Sequence, residues 1–560
     1  MDITVLIGGA AGQGMDTLGM MLAKSLVSLG FYVFLHRDYM SRIRGGHNFV
    51  TVRFSERPVF SHADELAAMI ALNEETIGLH GDKLSPQGRL ITLGNEEQVP
   101  ANLRARTISL AAQDIARKTG NRWVAGTAAL GCVFKLFGLP GTALTAIIDK
   151  TFEGAEHTAN STALEIGYDA AETIASIEPP LPWDSIFLNG NEAVALGALA
   201  AGCKFYAGYP MTPATGIMTY LAKKANEAPI LVEQAEDEIA AINLALGASY
   251  AGVRAMTGSS GGGFALMAEG VSLAGITETP LVIAVAQRPG PATGLPTRTE
   301  QSDLSFVVHA GHGEFPRLVI ALKNPEDAFY QTVRAFNLAE KYQIPVFLLT
   351  DQYLADYTQT VKPFDFASLH IERHLVAEEP TREYLRYELT TSGLSPRLVP
   401  GKFAGQLVYL DSDEHDEAGR ITESAAVRKA MVEKRQRKVS SLSAELLEPE
   451  HIGCDEPKIL CLCWGSTYGP VKEAVTELCR QGHSIGALAF GDIFPLPTTL
   501  LRRYAGYANT IVNLEQNATG QLASLIRQQT GLTCHHSLLK YDGRPWSKDE
   551  IIRALAKEVL

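Results

Sequence analysis

The sequence predicts an α/β protein of three domains, on three observations. Its 560 residues exceed what a single hydrophobic core organises. Short apolar runs alternate with helix-like stretches through most of the chain, the pattern of strands joined by crossover helices. Glycine- or proline-rich turns follow several of those runs directly, which is where doubly wound sheets place ligands.

The first domain is expected over residues 1–177. Ile3–Ile7 reads as a buried strand that ends in the glycine turn Gly8-Gly9-Ala10-Ala11-Gly12-Gln13-Gly14, and a helix is predicted from Thr17 to Leu29. Phe31–Leu35, Phe49–Phe54, Ala68–Leu72 and Arg89–Leu93 read as further strands. The glycine turn suggests a dinucleotide site, but its spacing is not G-x-G-x-x-G. The second strand also ends in Leu35-His36-Arg37, where an acidic ribose ligand would be expected. A turn needed only for strand–helix packing explains these glycines equally well. The proline-rich break Glu178-Pro179-Pro180-Leu181-Pro182 marks a linker.

The second domain, 185–365, carries strands at Lys204–Ala207, Ile230–Val232, Arg254–Met256, Leu281–Ala286 and Pro345–Thr350. After the first of these comes Tyr209-Pro210-Met211-Thr212-Pro213-Ala214-Thr215. Two prolines flanking a threonine make a rigid turn, because each fixes its own φ and pushes the preceding residue to extended geometry. Such a turn can hold the Thr212 hydroxyl in one place; a plain loop, with Thr215 capping a helix from Gly216, is the simpler alternative. Residues 366–455 are highly charged, including Asp411-Ser412-Asp413-Glu414-His415-Asp416-Glu417 and Glu433-Lys434-Arg435-Gln436-Arg437-Lys438. They read as an irregular, solvated connecting arm in preference to a metal site. The last domain, 456–560, is expected to open with strand Ile459–Cys463 and the turn Trp464–Pro470, with Glu515–Gln521 following a later strand, Thr510–Leu514.

Composition narrows the function classes. An apolar fraction of 46% with 20% charged residues is that of a soluble globular protein. A net charge of −13 argues against nucleic acid or an anionic membrane as partner. Met1-Asp2-Ile3-Thr4-Val5-Leu6-Ile7 lacks a basic leader and reads as a strand, and no apolar run approaches the roughly 20 residues that span a bilayer. A cytoplasmic location is expected. The cysteines are scattered, with Cys461 and Cys463 two apart on one strand. Buried free thiols are expected, and no iron–sulfur spacing is recognisable.

Five segments carry a resemblance: Gly190-Asn191-Glu192-Ala193, the Tyr209–Thr215 turn, Glu233–Ala241, Met256–Phe264 and Gln287–Thr297. Their order and spacing resemble the α subunit of the 2-oxoacid:ferredoxin oxidoreductases, which use thiamine diphosphate. The fused γ–α type of 2-oxoglutarate:ferredoxin oxidoreductase is the most similar form, over nearly the whole chain. The resemblance implies a γ-type domain, a doubly wound pyrimidine-binding domain, a charged linker with an Asp413-Glu414-His415 element, and a transketolase C-terminal-like domain. It implies that Gly12, Gly14 and Arg44 face coenzyme A.

In the second domain the resemblance assigns Glu236 to the carboxylate that activates the thiamine pyrimidine ring, a group that must sit in a dry pocket. Glu233, Asp237 and Glu238 are rivals, and acids in a first helical turn also suit the helix dipole without any catalytic role. Arg288 matches the residue that binds the 2-oxoacid carboxylate, with Thr212 and Thr297 as hydroxyl partners and Arg298 as the competing cation. The loop Gly258–Gly263 could cradle a phosphate, but the chain has no Gly-Asp-Gly; Gly81-Asp82-Lys83 and Gly491-Asp492-Ile493 lack the second glycine.

A separate β subunit is therefore expected to bring the diphosphate–Mg²⁺ motif and a [4Fe–4S] cluster, in a dimer of αβ heterodimers. The implied reaction converts a 2-oxoacid, coenzyme A and oxidised ferredoxin to acyl-CoA, carbon dioxide and reduced ferredoxin, in either direction. 2-Oxoglutarate is the implied substrate, with pyruvate or a branched-chain 2-oxoacid as alternatives. A non-oxidative thiamine enzyme and a non-catalytic nucleotide-binding subunit are the rival functions.

Overall fold

Strand Asp2–Ala10 is buried from Thr4 to Gly9 and pairs parallel with Leu66–Ala71 on one side. On its other side His47–Ser55 runs antiparallel. These three are the centre of an eight-stranded sheet in the computed structural model, which describes residues 1–40, 46–94 and 99–560. The spatial order is Thr107–Ser109, Leu84–Thr92, Leu66–Ala71, Asp2–Ala10, His47–Ser55, Tyr32–Tyr39, Thr358–Val361 and Ile186–Asn189. Tyr32–Tyr39 extends four residues beyond the apolar run that predicted it, which leaves too little chain before His47 for a crossover helix; the two strands therefore pair antiparallel. Residues 1–188, 356–363 and 547–551 form this first compact unit. Thr358–Val361 thus returns to the first sheet although it lies inside the range assigned from the sequence to the second domain.

The second unit, 189–355 with 364–546 and 552–560, contains two sheets. One has seven strands in the order Asp492–Phe494, Leu318–Ala321, Pro345–Asp351, Leu281–Gln287, Arg254–Ser259, Cys203–Gly208 and Leu231–Gln234. All pairs are parallel except the edge strand Asp492–Phe494. Its central strands are buried on both faces, as parallel strands covered by helices must be. The other sheet orders Glu450–Gly453, Ile485–Phe490, Ile459–Trp464, Thr510–Glu515 and His536–Leu539, parallel apart from Glu450–Gly453. Asp492 belongs to the incomplete Gly-Asp-Gly segment. It is fully buried and held by both Arg334 Nη atoms at 2.7 Å, a structural pairing.

The connecting arm overturns its expectation. Ala425–Ser443 is a 19-residue helix capped by Ser424, and it buries Met431, Lys434, Arg435, Lys438 and Leu442. That spacing is helical, but the buried face is cationic, so hydropathy assigns it to solvent. Lys434 Nζ lies 2.5 Å from buried Glu278, and Lys438 pairs with the same carboxylate. Glu414 of the acidic run pairs with Arg428 and Arg435, and the His415 ring packs at a tilt of 37° against Tyr387 with centroids 3.9 Å apart. Arg373 and Arg397 reach Glu340, which also binds Arg254. The arm is ion-paired into the unit through these buried charges, while others, such as Lys429 and Arg420, stay exposed.

The cysteines are free thiols as expected, and Cys132, Cys203, Cys461 and Cys463 are buried, whereas Cys454, Cys479 and Cys534 are partly exposed. Among the described residues no helix is long and apolar enough to cross a membrane.

Candidate active site

Parallel strands share one carboxyl edge, so the loops after Cys203–Gly208, Leu231–Gln234, Arg254–Ser259 and Leu281–Gln287 all emerge on the same side of the second sheet. These four strands are adjacent, and they bring together the turn of Thr212, the segment of Glu236, the Gly258–Gly263 loop and Arg288. The ends that carry Glu236 and Arg288 stand three strand spacings apart, about 14 Å. A cofactor-sized ligand can span that gap.

The Thr212 turn is fixed from two sides. Asn191 Nδ2 donates to the Pro213 carbonyl at 2.9 Å, which gives the Gly190–Ala193 segment its role. Asn189 and Glu192 close a capping box that anchors Asn191 at the start of helix Gly190–Ala200. From the other side, Arg288 Nη1 donates to the Thr212 carbonyl at 2.8 Å and Nη2 contacts Met211 Sδ at 3.6 Å. The Thr212–Pro213 peptide is cis. Thr215 does not cap: helix Thr215–Lys224 begins at Thr215 itself, behind Ala214, without a side-chain cap bond.

At Glu236 the helix start sorts the rival acids. Helix Glu238–Tyr250 is capped by Asp237, whose side chain accepts from Ala240 N. Glu236 precedes the cap and is exposed, so it is not the helix-opening acid that the sequence suggested. Glu238 is the first helical residue, 3% exposed, and its Oε1 accepts from Ser259 Oγ at 3.3 Å. Gly263 makes room for it: a β-carbon there would fall 2.3 Å from Glu238 Oε1 and 2.0 Å from Ser259 Oγ.

Arg288 has an acidic neighbourhood that the sequence reading missed. Asp303 lies over Gly261, where a β-carbon would stand 2.2 Å from its Oδ2, and its N–H donates to buried Gln287. Burial pushes the Asp303 carboxyl up to about 6, against the pull of Arg288. Burial and the nearby Asp303 push Glu300 up to about 7. Both lie just beyond the Gln287–Thr297 segment, close enough in sequence to have been found by extending it. Thr297 is half-buried in the same irregular loop. Arg298, the rival cation, packs its stem against the Gly543 turn.

Several buried polar atoms at this edge have no hydrogen-bond partner among the described residues: Asn191 Oδ1, Thr257 Oγ1, Ser260 Oγ and Asp303 Oδ2. Such atoms are costly unless a ligand or ordered water satisfies them. With the acid Glu238 and the cation Arg288, this donor set fits a cofactor that has a polar ring edge and a substrate that has a carboxylate.

In the first unit, Gly12 and Gly14 have φ of +92° and +82° with open space where a β-carbon would point. The positive φ alone demands glycine there. Gly14 precedes helix Met15–Ser28, whose N-terminus has no side-chain cap. Arg44 lies outside the described residues.

Comparison with known proteins matches two family models: "Pyruvate ferredoxin/flavodoxin oxidoreductase" over residues 4–170 and "Pyruvate flavodoxin/ferredoxin oxidoreductase, thiamine diP-bdg" over 196–434. A 2-oxoacid:ferredoxin oxidoreductase subunit alpha from Sulfolobus sp is 32% identical, covering 100% of this chain and 97% of the relative. The 2-oxoglutarate synthase subunit KorA of Methanocaldococcus jannaschii is 34% identical over 57% of this chain and 85% of its own. The 2-oxoglutarate:ferredoxin oxidoreductase of Magnetococcus marinus, solved with 2-oxoglutarate, coenzyme A and succinyl-CoA bound, superposes with a TM-score of 0.94. It is 30% identical, with 100% of both chains covered.

Proposed function

Because the chain belongs to the α subunits of the 2-oxoacid:ferredoxin oxidoreductases, we propose that it is the pyrimidine- and substrate-binding half of an enzyme that oxidatively decarboxylates 2-oxoglutarate. Coenzyme A takes the acyl group and ferredoxin takes the electrons, in a reversible reaction. The observation that carries this reading is the full-length likeness to an enzyme solved with 2-oxoglutarate and coenzyme A. When bound, thiamine diphosphate would supply a nucleophilic carbon and an electron sink for the decarboxylation.

This chain supplies the groups that bind and orient. A carboxylate has to meet the ring nitrogen of the pyrimidine in a dry pocket. Glu236 is the residue matched by motif, but its side chain is exposed; Glu238 is buried, and among the described residues its carboxylate takes one long hydrogen bond, from Ser259. Burial favours Glu238 in that role, with Gly263 and Ser259 holding it. Arg288, braced by the Thr212 carbonyl, offers its remaining donors to the substrate carboxylate, with the hydroxyls of Thr212 and Thr297 in support. Arg288→Lys is expected to raise KM for 2-oxoglutarate by at least about tenfold, since an ammonium cannot keep both the brace and a two-point grip. Unchanged KM would move the cation role to Arg298.

The diphosphate–Mg²⁺ motif and the [4Fe–4S] cluster are assigned to a β subunit, in a dimer of αβ heterodimers. Exposed Leu231, Ile239, Leu244, Leu266 and Leu295 on the elements around the crevice suit such a partner. In the first unit, Gly12 and Gly14, with Arg44, are assigned to coenzyme A, whose phosphates suit backbone amides at a helix start.

The decisive experiment is purification of this chain alone and together with its partner, each assayed with a panel of 2-oxoacids and a viologen acceptor. The chain alone is expected to be inactive and to retain no thiamine diphosphate, and the complex to prefer 2-oxoglutarate. Stoichiometric cofactor retention by the lone chain would overturn the split site, and preference for pyruvate would reassign the substrate.

A further inference from the structure

Two of the partly exposed thiols meet in the last sheet. Cys454 follows edge strand Glu450–Gly453, and Cys479 lies in the last turn of helix Tyr468–Arg480. Their sulfurs stand 3.5 Å apart. The carbonyl of Ile485, which begins the neighbouring strand, fixes both: it accepts from Cys454 N at 3.0 Å and from Cys479 Sγ at 3.1 Å. Cys454 Sγ also donates to the His483 carbonyl at 3.7 Å. A disulfide needs about 2.05 Å between sulfurs, so closure takes roughly 1.5 Å of combined side-chain movement. The buried thiols Cys132, Cys203, Cys461 and Cys463 lack this access.

We propose that Cys454 and Cys479 form a reversible oxidation site, which a low-molecular-weight disulfide closes and a dithiol reopens. In the first step the Cys454 thiolate attacks one sulfur of the oxidant, forming a mixed disulfide and expelling one thiolate that picks up a proton. The Cys479 thiolate then attacks Cys454 Sγ, forming the intramolecular bond and expelling the second thiol. Protein dithiol plus one disulfide thus gives protein disulfide plus two thiols, a balanced two-electron exchange. Burial and the adjacent Cys454 push the Cys479 thiol up to about 11. In the reduced pair that favours Cys454 for the first attack. The closed bond ties the end of the connecting arm to helix Tyr468–Arg480 across 25 residues of chain.

The test uses the assembled protein, oxidised glutathione as probe, and peptide mass mapping without reductant. Trypsin places the two thiols on separate peptides, Val439–Lys458 and Glu473–Arg480. The expected result is one cross-linked peptide pair, about 2 Da lighter than the two peptides together, that dithiothreitol resolves. Its rate of formation should rise with pH between roughly pH 7 and 9, because both attacks need a thiolate. Cys479→Ser should leave a stable glutathione adduct on Cys454, whereas Cys534→Ser should cross-link like the natural chain. The idea is overturned if Cys454 in the natural chain stays glutathionylated without closing, if both thiols remain reduced, or if the cross-link joins Cys534. The mapping on the natural chain decides the matter even should a variant fail to fold.

Discussion

In the assembled complex, Glu238→Gln is expected to slow hydrogen–deuterium exchange at the thiamine C2 position by roughly 10²- to 10⁴-fold, the usual scale for removing positioned acid–base help. Glutamine keeps the volume seated against Gly263 and still accepts from Ser259, so folding and subunit association should survive. What it loses is the charge that a ring N–H would meet. Exchange at C2 is read before substrate or ferredoxin takes part, so the measurement isolates this carboxylate. Glu236→Gln should leave the rate within a few-fold, because that side chain is exposed and lies outside the helix cap. The reverse pattern would return the role to Glu236 and imply that the partner subunit buries it. No change in either variant would remove the support that these acids give to a thiamine site.

A comparable loss, in stability instead of rate, is expected from Glu340→Ala. Glu340 is 2% exposed and its carboxylate meets Arg254 at 2.9 Å, Arg373 at 2.8 Å and Arg397 at 3.2 Å. Removing the one acid leaves three guanidinium groups without the carboxylate they share, and the side chains of Arg254 and Arg397 are almost wholly buried. Breaking a buried pair by deleting one partner costs about 3–5 kcal/mol. For a unit of this size that lowers the melting temperature by on the order of 5–10 °C. Thermal melting followed by circular dichroism would show it, and a shift below about 1 °C would mean that the arginines find other partners or water.

The parallel strands of the second sheet were legible because burial on both faces makes each one a continuous apolar run; Leu281–Gln287 is buried at every position. The convergence of Thr212 and Arg288 was legible for a topological reason, since loops after parallel strands must emerge together. Choosing between Glu236 and Glu238 was not, because it depends on which residue caps the helix, and Glu236, Asp237 and Glu238 are all acids. The helix Ala425–Ser443 was hidden because Lys434 and Lys438, which a hydropathy reading sends to water, are instead drawn in by Glu278. Asp303 and Glu300 lie just past the Gln287–Thr297 segment and gave no signal by residue type; burial, with Asp303 facing Arg288 and Glu300 near Asp303, singles them out.

The edge strand Asp492–Phe494 has a bearing on where this polypeptide can be divided. It comes from the C-terminal domain but completes the sheet that carries the site, pairing with Leu318–Ala321. Arg334 and the Leu447 N–H both clasp Asp492, so the join is made by backbone and side chain alike. Cutting the chain between residues 455 and 456 would bare the backbone donors and acceptors of Leu318–Ala321, an invitation to pair with any passing strand. It would also leave Arg334 without its carboxylate. The boundary visible in the sequence is a boundary of sheets but not of inheritance: a gene split there would yield a sticky fragment, so the site and the domain behind it have to travel as one piece.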